Sequence, residues 1–254
     1  MSALVEVEDG GGVRVITINR PEARNSINTA TAEAIGAAID ELDARDDLTI
    51  GILTGAGGTF CAGMDLKAFL AGERPSIPGR GFAGIVEGPP QKPIIAAVEG
   101  YALAGGFEIA LACDIIVASR TAKFGLPEVK RGLVAAGGGL LRLPQRVPYH
   151  LAMEWALTGD FVDAEQAYAA SLVTHLAEPG EALAVARAVA DKIAANGPLA
   201  VRATKQIIVE APYWGADDRF DRQRSISEPV RASEDAREGA LAFTEKRAPQ
   251  WKGR

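Results

Sequence analysis

Apolar and polar residues alternate from Leu4 to Glu8 and again from Val13 to Asn19, on either side of Gly10, Gly11 and Gly12. A period of two around a glycine turn predicts a β-hairpin. The period then changes: Ile35, Ile39 and Leu42 share one face of a helix that Asn28 or Thr29 can cap and that runs to about Arg45. The short apolar run Leu48 to Leu53 predicts a buried strand.

The stretch from Pro93 to Ala118 is long and apolar, with Glu99, Glu108 and Asp114 as its only charges. A membrane span there would bury Glu108 near its centre at a cost of about 2.5 kcal/mol or more. A strand from Ile94 to Val98, a glycine turn, a helix opening near Gly105 and a second strand from Ile115 to Ala118 avoid that cost. The recurring alternation of strand and helix predicts an α/β fold with parallel pairing.

From about Tyr149 onward the pattern is helical, around Leu151–Leu157, Ala164–Ala170, Val185/Val189/Ile193 and Leu199/Ala203/Ile207, with Pro198 in the first turn of the last of these. From about Asp217 to Glu245 the helical pattern is charged and narrow in apolar content, and Trp251 follows among basic neighbours. Such a segment buries little by itself and is expected to dock on the core or on another subunit.

Length and composition leave this picture intact: 254 residues with 48% hydrophobic and 24% charged suit one large domain, or a core with a helical appendage, and no repeat or low-complexity tract. The net charge of −6 argues against nucleic acid as a partner, which needs a basic face. Met1 to Gly10 carries Glu6, Glu8 and Asp9 and has no basic stretch with an apolar run behind it, which argues against secretion. Two cysteines (Cys61, Cys113) and two histidines (His150, His175) form neither a disulfide framework nor a metal spacing, and point to the reducing cytoplasm.

Three glycine-rich turns follow strand-like runs: Gly55 to Lys67, Gly100 to Glu108, and Phe124 to Gly139 with Pro127-Glu128 inside it. Gly105 and Gly106 open a helix whose free N–H groups suit a negative oxygen, and Met64, after Gly63, is expected at the start of a short helix of the same kind. Two such donors converging on one point make an oxyanion hole. Singly, Asp65 and Glu108 are equally compatible with carboxylates that stabilise helix N-termini. No phosphate loop is present, since neither the Lys-Ser/Thr ending nor a G-x-G-x-x-G after the first strand occurs.

Five pieces in order, Ile18–Asn28, Phe60–Lys67, Gly100–Asp114, Phe124–Gly132 and Ala242–Arg247, give the chain a resemblance along nearly its whole length to the enoyl-CoA hydratase/isomerase (crotonase) superfamily. The resemblance implies a crotonase-like spiral of ββα turns over residues 1–195 and a C-terminal helical oligomerisation region over 196–254. It implies an acyl-CoA thioester as substrate, with coenzyme A part of that substrate and no separate cofactor or metal. It also implies assembly as a homotrimer or homohexamer, with no membrane and no nucleic acid as partner.

Residue by residue, the resemblance implies Glu108 and Glu128 as the hydratase carboxylates and Met64 and Gly105 as the oxyanion donors. It further implies Ala23, Arg24, Ala62, Asp65 and Leu66 along the coenzyme A path, with Phe243 and Lys252 reaching it across a subunit boundary. Ala135 and Ala136 depart from the pattern, where many members carry Pro and a polar residue or Gly; that bears on loop shape. The Gly- and Pro-rich segment Phe69 to Pro90, which shows no regular pattern, is expected to wall the acyl pocket.

Retention of both glutamates points to water addition across a 2-enoyl-CoA double bond, giving a 3-hydroxyacyl-CoA. An enoyl-CoA isomerase or a dehydratase of a decorated acyl-CoA is the alternative within the enzyme class. A non-catalytic acyl-CoA- or RNA-binding homologue is the alternative from another class.

Overall fold

The computed structural model describes residues 3–254; Met1 and Ser2, the first residues of the N-terminal stretch read above, lie outside the described residues. The hairpin is present as β1 (Val5–Gly10) and β2 (Val13–Ile18), antiparallel, with Val5 opposite Ile18 and Gly10 opposite Val13. Helix α1 (Thr29–Ala44) starts where Asn28 caps it, the side chain accepting from Thr31 N, and Ile35, Ile39 and Leu42 are buried. Strand β3 follows as Ile50–Gly55, two residues later than the apolar run suggests.

A one-turn helix α2 (Leu66–Leu70) and a short hairpin of β4 (Ser76–Ile77) and β5 (Gly81–Phe82) fill the segment that shows no periodicity. That segment is no loose excursion: Ala83, Ile85 and Val86 are buried in the core. The apolar stretch then gives β6 (Ile94–Val98), β7 (Tyr101–Leu103), α3 (Gly105–Ala112) and β8 (Ile115–Ser119), as the strand, turn, helix and strand reading requires. Next come β9 (Lys123–Gly125), a 3-10 turn at Pro127–Arg131, α4 (Gly139–Arg146) and α5 (Tyr149–Thr158). The core closes with β10 (Val162–Asp163), α6 (Ala164–Ala169), β11 (His175–Ala177) and α7 (Ala182–Ala194).

Strands β1, β2, β3, β6, β8 and β11 form a six-stranded sheet in that order, parallel from β2 onward. A three-stranded sheet, β10-β9-β7, lies beside it in the winding, so successive turns of chain place one strand in each sheet. Both faces of the large sheet are covered at β3, β6 and β8, which is why those strands read as continuous apolar runs. Ile16, Ile18, Leu53, Ile94, Ala96, Val98 and Ile116 pack with α1 and α3 on one side. Val13, Val15, Ile50, Ile52, Ile95, Ala97 and Val117 pack with Ala186 and Ala190 of α7 on the other.

The remaining chain forms α8 (Pro198–Glu210), α9 (Arg219–Arg231) and α10 (Glu234–Glu245). The charged segment read as one helical stretch is therefore two helices, divided where Ser233 caps α10 by accepting from Ala236 N. No residue of α8 or α9 is fully buried. Trp251 ties this region back to the core by donating its indole N–H to Ala195 O at 2.8 Å. Among the described residues no helix is long and apolar enough to cross a membrane.

Candidate active site

The three glycine-rich turns meet because their strands run in register. Leu103 at the end of β7 is level with Gly125 at the end of β9, and Cys61 bridges Ala102 in the parallel sense. Cys61 N donates to Tyr101 O at 2.8 Å and Leu103 N to Cys61 O at 3.0 Å, so all three turns leave from one end of three parallel segments. Phe107 of α3 packs on Phe124 of β9 with ring centroids 5.4 Å apart, which fixes the helix carrying Glu108 against the strand leading to Glu128.

Gly63 has φ +96°, and its peptide oxygen accepts from Ile27 N at 2.9 Å while Asp65 N donates to Ile27 O at 2.9 Å. Ile27 thus occupies the groups flanking Met64, and the Met64 N–H points the other way with no backbone acceptor among the described residues. Met64 precedes α2 by two residues; the helix begins at Leu66, capped by Asp65, whose carboxylate accepts from Lys67 N and Ala68 N. The expectation that Met64 opens the helix is corrected in this respect: its N–H is freed by the bridge to Ile27, not by a helix end.

Gly105 does open α3, and its N–H likewise has no backbone acceptor among the described residues. The turn before it is strained, with Ala104 at φ +51° and ψ −126°, a conformation that side chains rarely adopt and that tends to persist at functional sites. The turn leading to Met64 lies close to Gly105: a Cβ built on Gly63 would come within 3.2 Å of Gly105 N. Gly106 has no room for a side chain, since its Cβ would collide with the Cys61 carbonyl.

Glu108, on the first turn of α3, is only 4% exposed. Its carboxylate does not cap its own helix; Oε1 accepts from Gly139 N at 3.0 Å. Burial raises its pKa, opposed by hydrogen bonds from the Gly139 and Gly137 peptides and by the nearby Arg142 charge. Glu128, in the Pro127–Arg131 turn, is half-buried, and its Oε2 is fully enclosed without a hydrogen-bond partner. Burial raises its pKa too, and the charge of Glu108 pushes it further up.

Ala23, Arg24, Ala62, Asp65 and Leu66 are gathered at one place. Ala62 N donates to Arg24 O at 3.1 Å, and Arg20 pairs with Asp65 at 2.9 Å. Asn25, buried at φ +54°, fastens this region by donating to Ala56 O at 2.8 Å and Thr59 O at 2.6 Å and accepting from Arg20 N at 2.9 Å. Phe243 and Lys252 are not gathered there: Phe243 stands 86% exposed on α10, and Lys252 pairs with Glu234 at 3.1 Å. Sequence reasoning did not single out Asn25, Phe82, the Gly137–Gly139 run as a carboxylate support, or Arg142. The three consecutive glycines followed by an arginine were the available signal.

A family model described as enoyl-CoA hydratase/isomerase matches residues 8–254. The chain belongs to this family. An enoyl-CoA hydratase of Mycobacterium tuberculosis is 43% identical over 259 residues, 98% of this chain and 96% of that protein. A carnitinyl-CoA dehydratase of Salmonella arizonae is 43% identical over 264 residues, the full length of both. The crystal structure of an enoyl-CoA hydratase from Mycobacterium marinum shares the fold with a TM-score of 0.97 at 60% identity, covering 99% of each chain. The crotonase-type fold expected from the sequence is the one observed.

Proposed function

We propose that this enoyl-CoA hydratase/isomerase family member adds water across the double bond of a 2-enoyl-CoA thioester at the Glu108–Glu128 pair. The observation that carries the proposal is a pair of carboxyl groups, Glu108 and Glu128, whose pKa values burial raises and which act on one another through charge, on turns that leave the same end of the sheet as those exposing the Met64 and Gly105 N–H groups. Hydration needs a base for water, an acid for Cα and donors for the thioester oxygen, and these four groups supply all three. The reaction balances with water and two carboxyl groups, and coenzyme A enters as part of the substrate.

In this reading the thioester oxygen accepts from Met64 N–H and Gly105 N–H. Glu108 is the ionised partner, since two peptide N–H groups and a nearby guanidinium support its charge. Glu128 is the protonated partner, since the charge of Glu108 repels its ionised form and its Oε2 has no hydrogen-bond partner. Glu108 takes a proton from water as the water oxygen bonds to C3, electrons move onto the thioester oxygen, and Glu128 delivers its proton to C2. Proton exchange with solvent restores the pair, which titrates as a unit. Arg24 and Lys67, both exposed beside Ala62–Leu66, suit the phosphates of coenzyme A.

The reverse reaction, loss of water from a decorated 3-hydroxyacyl-CoA, uses the same groups and is favoured as the second reading by the full-length likeness to carnitinyl-CoA dehydratases. An isomerase needs only one carboxylate near Glu128, and a non-catalytic homologue needs neither. Residues 1–195 hold the thioester, residues 196–254 join subunits into a trimer or hexamer, and the reaction runs in the cytoplasm in this account. A panel of 2-enoyl-CoA thioesters, followed by loss of the conjugated absorbance, tests it. Loss of absorbance with at least one thioester is expected; measurable coenzyme A binding without loss for any would overturn hydration.

A further inference from the structure

The carboxylate of Glu108 is held by a run of three consecutive glycines, 137 to 139. Gly137, Gly138 and Gly139 have no side chains to anchor them, and none can be added at 137, where a Cβ would come within 2.5 Å of Glu108 Oε2. Gly138 has φ +90° and caps α4, its oxygen accepting from Leu141 N at 3.1 Å and Arg142 N at 3.0 Å. Three glycines in such a turn retain conformational freedom unless something outside them removes it. Yet the peptide N–H of Gly139 must stay directed at Oε1 for Glu108 to keep its orientation.

Arg142 is the side chain placed to do this. One turn into α4 it folds back over Gly138, where a Cβ on that glycine would collide with its Nη1. Its Nη2 donates to the backbone oxygen of Val86, 56 residues away. Val86 is buried and belongs to the turn that follows β5, its N–H donating to Phe82 O. The Phe82 ring in turn lies against Gly105, where a Cβ would come within 2.5 Å of the ring. One guanidinium therefore bonds the 82–86 turn while lying against Gly138 in the run that supports Glu108.

We propose that Arg142 is a positioning residue for hydration: its guanidinium fastens the Gly137–Gly139 backbone that orients Glu108 to the 82–86 turn that packs on the Gly105 donor. The proposal rests on the hydratase reading above. A bidentate, planar cation suits a task of this kind better than lysine, because its fork fixes direction as well as charge. Arg142 acts on Glu108 through space, and burial, then the neighbouring Arg146 charge, lowers its own pKa. The other groups facing it are the neutral Cys113 thiol at the end of α3 and the Tyr213 phenol; Glu108 itself also faces Glu128.

The test is the pH dependence of kcat for Arg142→Gln, Arg142→Lys and Gly138→Ala beside the parent enzyme. Removing the charge and the tie in Arg142→Gln should lower kcat by about tenfold to 100-fold with little change in KM, as loss of supporting hydrogen bonds commonly does. The acid limb should also move up by about half a pH unit or more, because the ionised form of Glu108 loses its cation. Arg142→Lys keeps the charge, so its limb should stay nearer the parent while kcat still falls, and Gly138→Ala should behave like it by displacing the guanidinium.

A merely structural arginine would lower the folded fraction and leave the limb of the folded remainder in place. Parent-like kcat and limb in folded Arg142→Gln would overturn the proposal; if that variant does not fold, parent-like kcat in both Arg142→Lys and Gly138→Ala does so. A parent enzyme that binds enoyl-CoA thioesters and hydrates none defeats the hydratase reading instead, so the two failures are distinguishable.

Discussion

Glu108 and Glu128 each carry a free-energy cost of burial that the proposed chemistry would account for. Burial raises both pKa values, so the folded chain disfavours their ionised forms relative to the unfolded chain. Between the ordinary carboxylate value and the raised one the folded state binds more protons than the unfolded state, and stability falls as pH rises through that window. Glu108→Gln, which keeps an acceptor for Gly139 N, should therefore melt higher than the parent at neutral pH, with the gap closing at about pH 4. The same change, and Glu128→Gln, should lower kcat by about 10²- to 10⁴-fold with coenzyme A affinity little altered. Thermal melts at two pH values and steady-state kinetics check both parts.

Residue identity at this scale was legible only through company. Glu108 by itself reads as an ordinary helix-start acid, and Glu128 as a loop acid beside Lys130 and Arg131. What the sequence could not display was the support: Gly139 N reaches Glu108 across 31 residues, and Arg142 reaches Val86 across 56. Such contacts depend on strand register, which a hydrophobic pattern does not encode when strands are buried on both faces.

Among the elements, β7 and β9 with the Cys61 bridge bring the proposed site together, because they end level with one another. The elements themselves were readable: the hairpin, the Asn28 cap, the strand at Ile94–Val98 and the helix from Gly105 follow from period, capping and glycine placement. The segment Phe69–Pro90 was not, since two-residue strands and a five-residue helix are too short to show a period.

Gly63→Ala should test the convergence of the donors: its φ of +96° and a Cβ 3.2 Å from Gly105 N would disturb the hole directly. A loss of about 10²- to 10³-fold in kcat with an unchanged circular dichroism spectrum is expected; parent-like kcat would count against the two-donor arrangement. Asn25→Ala removes three partly buried hydrogen bonds beside the Arg20–Asp65 ion pair and should cost about 3 kcal/mol in urea unfolding. Weaker coenzyme A binding should accompany it.

At the scale of the whole molecule, α8, α9 and α10 are the part that the single chain leaves unfinished. Ile208, Phe220 and Phe243 stand largely exposed, and α10 buries only Asp235 and Ala242. Apolar exposure of this kind fits burial between subunits, and the narrow apolar content of 217–245 was already visible in the sequence. Light scattering should return the mass of three or six chains, and Ile208→Asp or Phe220→Asp should lower it; a monomer at micromolar concentration would remove the proposed role of residues 196–254.

The central claim is that two glutamates add water to a thioester-conjugated double bond. Its most direct test is turnover of a 2-enoyl-CoA in ¹⁸O-labelled water by the parent enzyme, Glu108→Gln and Glu128→Gln, with mass spectrometry of the product. The account predicts one labelled oxygen at C3 of the 3-hydroxyacyl thioester, formed rapidly by the parent and at least about 10²-fold more slowly by either variant. An unlabelled or isomerised product from the parent, or parent-like rates in both variants, would contradict it.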